Sequence, residues 1–72
     1  MININKLKAV LVERGQNIEY LAENIEMPVS TLYRKLQNDG KKMTIDDAQK
    51  IINFLNLSKD DINAIFFDQR VA

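Results

Sequence analysis

Apolar residues recur at intervals of three and four along most of the chain, broken by short polar clusters. That spacing predicts amphipathic helices that turn one face to a shared core. In "NKLKAVLVERG", Leu7, Val10, Leu11 and Arg14 lie at helical spacing, with Asn5 as a candidate N-cap and Gly15 as a C-terminal stop. Asn17 can cap a second helix, with Ile18, Leu21, Ala22 and Ile25 as its stripe. Pro28 is excluded from a helix interior but suits a first turn. A third helix is therefore expected from near Pro28 to about Asn38, with Val29, Leu32 and Leu36 inward. "NDGKK" reads as a turn in which Gly40 can take a positive φ. Thr44 stands three residues before Asp47, and Ser58 three before Asp61. Both pairs resemble capping boxes, with Asp in place of Glu. They open a fourth helix near 45–55, with Ile45, Ala48, Ile51, Ile52 and Leu55 on its core face, and a fifth near 59–67, with Ile62, Ile65 and Phe66 inward. The expectation is one all-α domain over residues 1–72, with five helices and short connections.

Composition narrows the chemistry. The 72 residues are 46% hydrophobic and 28% charged, which fits a globular chain rather than a disordered one. A domain of this size buries only roughly 60% of its unfolded surface. There is no cysteine and no histidine, which removes thiolate chemistry, the usual zinc ligands and the most frequent general base. Asp46–Asp47 and Asp60–Asp61 sit at helix starts, so they cap rather than converge on a substrate. No enzyme activity, cofactor or metal is expected. No apolar run approaches the ~20 residues of a membrane span, and the N-terminus lacks a signal-peptide core, so a cytoplasmic location is expected.

The formal net charge is zero, but it is segregated. Lys6, Lys8 and Arg14 against Glu13 leave residues 1–14 at +2, whereas Glu19, Glu23 and Glu26 put residues 15–27 at −3. Arg34, Lys35, Lys41 and Lys42 against Asp39 bring residues 28–43 to +3, and residues 44–72 carry −2. DNA affinity rests largely on Lys and Arg neutralising phosphates, so only an uneven placement of charge is compatible with it here.

Four stretches then carry a family likeness: "YLAENI", "STLYRKL", "MTIDDAQKIINFLNLS" and "DDINAIFF". In this order they cover nearly the whole chain, which resembles the Cro- and phage-repressor-type (Xre-type) helix-turn-helix proteins. More narrowly, it resembles small early regulators of temperate phages from Gram-positive bacteria. Ala22 matches the alanine at which the two helices of the motif pack closely, and Leu21, Ile25 and Leu32 match the apolar positions around it. The resemblance implies a five-helix phage-repressor-like DNA-binding domain, with the helix-turn-helix formed by helices two and three. Three positions depart from the family pattern. Glu26 stands where glycine is frequent in the turn, Ile18 where a backbone-contacting glutamine is frequent, and Pro28 where the recognition helix often opens with serine or threonine.

If Val29, Leu32 and Leu36 face inward, the third helix shows Ser30, Tyr33, Arg34 and Gln37 on its other side. Arg suits guanine, Gln suits adenine and Ser adapts to several base edges. These four are the candidate base contacts, and Thr31, Lys35, Asn38, Lys41 and Lys42 the candidate phosphate contacts. The alternative is a plain solvated face. Glu19, Glu23 and Glu26 serve either the helix dipole and solubility or, with Ile18 and Tyr20, an acidic surface for a basic partner protein. Phe67 and Val71 are candidates for a homodimer seam, although Phe67 packing on its own chain is an equal alternative. Two functions follow. The lead is a transcriptional regulator of a lysis-lysogeny switch that binds double-stranded operator DNA in the bacterial host cell. The other is a modulator, anti-repressor or co-repressor, that complexes a partner phage repressor and binds DNA weakly by itself.

Overall fold

The computed structural model describes residues 2–67, and they contain five α-helices and no strand. The helices are α1 (Ile4–Glu13), α2 (Ile18–Asn24), α3 (Val29–Leu36), α4 (Ile45–Leu55) and α5 (Lys59–Phe66), with a 3-10 turn at Asn38–Gly40. Each helix sends at least one fully buried side chain to a common core: Leu7 and Leu11, Leu21, Leu32, Ile51 and Leu55, and Ile65. α2 packs on α3, and α1 on α5. The Asn3 amide, which donates to the Ile65 carbonyl at 2.7 Å, fastens the N-terminal segment to α5.

Three of the helices are short because the sequence stops them firmly. α1, α2 and α4 all end in a Schellman arrangement, in which two amides reach back to satisfy carbonyls that the helix leaves open. The left-handed residues are Gly15 (φ 68°), Glu26 (φ 57°) and Asn56 (φ 49°). At the second end, Met27 N–H donates to the Ala22 carbonyl at 2.9 Å and Glu26 N–H to the Glu23 carbonyl at 3.2 Å. Gly15 fulfils its expected role. Gly40 also has positive φ, and a Cβ there would lie 2.4 Å from Ile2 Cδ1, so glycine is required on two grounds.

Several expectations change at helix starts. Asn3, not Asn5, caps α1, accepting from Lys6 N–H at 3.0 Å. Thr44 and Asp47 form a complete capping box, as expected. Ser58 makes only half of one: it accepts from Asp61 N–H, while the Asp61 carboxylate pairs with Lys6 of α1 at 3.7 Å. Ile45 is 89% exposed and does not belong to the core. The first-turn slot above Ile51 and Leu55 is taken by Asp47, four residues before Ile51. Val29, at the outer end of α3, is also exposed. α3 ends at Leu36, two residues earlier than expected, because Gln37 turns to extended backbone.

Glu26 holds a left-handed conformation that costs a residue with a Cβ about 1–2 kcal/mol, against roughly 0.5–1 kcal/mol of extra unfolded-state entropy for glycine. Glu26→Gly is therefore expected to raise the unfolding free energy by up to about 1 kcal/mol, measured by urea denaturation. Lower stability in this variant would mean that the Glu26 side chain makes a favourable contact that offsets the strain.

Candidate nucleic-acid interface

α2, the turn and α3 form one unit. Ala22 and Leu21 of α2, Ile25 at its end and Leu32 of α3 are all buried, and the small Ala22 side chain allows close approach of the helices. The left-handed Glu26 reverses the chain, and Pro28 (φ −57°, ψ 139°) starts α3 without a side-chain cap. Pro28 is thus the N-cap rather than a first-turn residue.

With Leu32 and Leu36 inward, Ser30, Tyr33 and Arg34 are exposed on the outer side of α3. Gln37 is exposed too, but it is the C-cap and has left the helix, so helical spacing does not align it with the other three. Asn38 follows in the left-handed region, exposed, and Lys41 and Lys42 are exposed beyond the 3-10 turn. Thr31 is half-buried.

Lys35 departs most from expectation. Its ammonium lies 2.5 Å from Asp47 Oδ2, with the two side chains 24% and 8% exposed. On the helical wheel Lys35 sits about 60° from Leu32, on the flank of the core stripe and away from Arg34. Asp47 Oδ2 also accepts from Thr44 N–H at 3.1 Å, and Asp47 N–H donates to Thr44 Oγ1 at 3.0 Å. The lysine assigned to phosphate is thus engaged in a partly buried ion pair, which ties α3 to the start of α4. Burial favours the neutral acid at Asp47, but the Lys35 ammonium and the Thr44 donors outweigh it and hold the carboxyl below its usual range.

The acidic set lies on α2 and its exit. Glu19, Glu23 and Glu26 are all exposed, whereas Ile18 is only 5% exposed and belongs to the core, not to a partner surface. Tyr20 is about half exposed and tilts against Phe54 of α4, with ring centroids 6.0 Å apart. The Tyr33 hydroxyl donates to Glu19 Oε2 at 3.2 Å, linking α3 to the first turn of α2. Desolvation, that hydrogen bond and the neighbouring negative charge push the Tyr33 phenol above its usual range. Phe67 is 62% exposed and does not pack back into its own core, while Val71 lies outside the described residues. Periodicity missed an apolar groove beside Phe67, lined by Ile2, Met43, Ile45, Ala48, Ile52 and Phe66. Ile45, which its spacing placed on the core face, lines this groove instead.

Because the Asp47 carboxyl is lowered in the folded state, its contribution to stability is present above the unfolded value of about 3.9 and lost as pH falls through the folded value. Asp47→Asn is expected to cost about 1–3 kcal/mol at neutral pH, with the gap to the wild type narrowing below about pH 4. Urea titrations across that range test it. A gap independent of pH would show that the pair contributes no net charge stabilisation.

No curated relative and no solved structure shows significant similarity to the chain. The family model of the Cro/C1-type helix-turn-helix DNA-binding domain matches residues 6–68, from α1 past the end of α5 and across the whole unit just described. The chain belongs to the Cro/C1-type helix-turn-helix DNA-binding family, whose fold is that of DNA-binding regulators.

Proposed function

We propose that this protein regulates transcription in a temperate-phage lysis-lysogeny switch by laying α3 in the major groove of operator DNA. The observation that carries this reading is the joint exposure of Ser30, Tyr33 and Arg34 on the outer side of α3, followed by exposed Lys41 and Lys42. Arg34 is the base-reading cation, and Ser30 and Tyr33 flank it. Gln37 and Asn38 reach DNA from the end of the helix. Thr31, Lys41 and Lys42 meet phosphates and set register rather than sequence. Lys35 holds α3 in place from within. Two copies joined through Phe67 and the apolar groove beside it would read two half-sites.

A second reading is favoured by one specific observation. Three exposed carboxylates, Glu19, Glu23 and Glu26, stand on α2 and the turn, where a phosphate backbone would be repelled and a basic protein surface attracted. In that reading the protein complexes a partner phage repressor and binds DNA weakly alone.

A gel shift on switch-region DNA with this protein, a candidate partner repressor, and both together separates the two. A shift by this protein alone at moderate salt supports the operator reading, and a change only in the presence of the repressor supports the modulator. Within the first, Arg34→Ala is expected to weaken operator binding by about 1–3 kcal/mol and relax specificity, whereas Lys41→Ala weakens all sequences alike and lowers the salt slope by about one. Operator binding indifferent to Arg34→Ala would remove α3 as the reading element.

A further inference from the structure

Tyr33 belongs to the outward side of α3, yet its hydroxyl is held by α2 through Glu19 Oε2 at 3.2 Å. Its ring lines a cleft with Lys8 and Val12 of α1 and with Ile18 and Glu19 at the front of α2. An aromatic side chain on a helix surface ordinarily samples several rotamers. One tethered at its tip to a neighbouring helix has fewer orientations to lose when a ligand arrives, which reduces the ordering cost of binding. Glu19 itself is placed by the first turn of α2, where the helix N-terminus favours a carboxylate. Its charge acts on any phosphate backbone regardless of sequence. Its hydrogen bond acts on Tyr33 alone.

We propose that Glu19 is a positioning residue for sequence readout: by accepting the Tyr33 hydroxyl, it fixes the tyrosine ring beside Arg34 in the orientation used at base edges. This rests on the operator-binding reading above. The charge and the hydrogen bond are separable. Glu19→Gln keeps an acceptor and removes the charge, Glu19→Ala removes both, and Tyr33→Phe keeps the ring without its hydroxyl.

The test uses a duplex that the wild-type chain selects from a random-sequence pool, and a scrambled duplex of the same composition. Glu19→Gln is expected to tighten both to a similar degree, leaving their affinity ratio near the wild-type value. Glu19→Ala and Tyr33→Phe are each expected to lower the ratio by roughly three- to tenfold, and the double variant by no more than either alone. A wild-type ratio in Glu19→Ala, or additive losses in the double variant, overturns the proposal while the operator reading stands. A pool that yields no enriched sequence overturns both. A measurement without DNA checks the contact itself. In a Tyr20→Phe background Tyr33 is the only tyrosine, and its ultraviolet titration is expected to move to lower pH in Glu19→Ala. An unmoved titration also overturns the proposal.

Discussion

The Lys35–Asp47 ion pair ties the last turn of α3 to the first turn of α4, beside the buried Leu32 and Leu36 that turn this helix to the core. A carboxylate as buried as Asp47 is costly unless its lone pairs are satisfied. Thr44 N–H and the Lys35 ammonium both meet Oδ2. The capping box that starts α4 therefore also holds the last turn of α3 through Lys35. With Lys35 held on the inner flank, Ser30 and Arg34 stand roughly opposite Leu32, at about 160° from it, and project outward. Together with the buried Leu32 and Leu36, the pair favours the rotation of α3 that leaves Ser30, Tyr33 and Arg34 exposed.

The zero net charge then has a spatial meaning. Lys35 is paired with Asp47, and so it contributes little to the surface balance around α3. Arg34, Lys41 and Lys42 remain exposed on and after α3, and Glu19, Glu23 and Glu26 on and after α2. The two helices of the motif thus present opposite charges side by side. The family supplies a frame for DNA binding, and in this chain that frame carries carboxylates on α2. Glu26 unites the two themes. It occupies the left-handed position that closes α2, and it places a negative charge in the turn itself.

Periodicity and capping chemistry made the five helices legible, along with the turn at Glu26–Met27–Pro28, the box at Thr44 and most of the core. What they did not resolve was decided by tertiary partners. Asn3 and Asn5 flank Ile4, and local propensity does not choose between them. Asn3 caps α1 where its own amide is fastened to Ile65 of α5. Ser58 lost its reciprocal partner because Asp61 found Lys6 across the bundle. Ile45 fits the apolar stripe by residue type, but the core slot at that level went to a polar capping residue. The place of Lys35 was readable in principle from its wheel angle beside Leu32 and Leu36. Its charge alone grouped it with Lys41 and Lys42 as a phosphate ligand. Ile18 illustrates the reverse case, a residue offered both to the core and to a surface, which packing assigned to the core.

The inward placement of Lys35 is the hinge of this account, and lysine reactivity tests it most directly. Brief reductive methylation of the native protein, read residue by residue by mass spectrometry, compares Lys35 with the exposed Lys41 and Lys42. Lys35 is expected to react much more slowly than these two, and Asp47→Asn to release it to a comparable rate while the chain stays folded. A Lys35 that labels as fast as Lys42 in the wild-type protein would contradict the inward placement and return that residue to the surface.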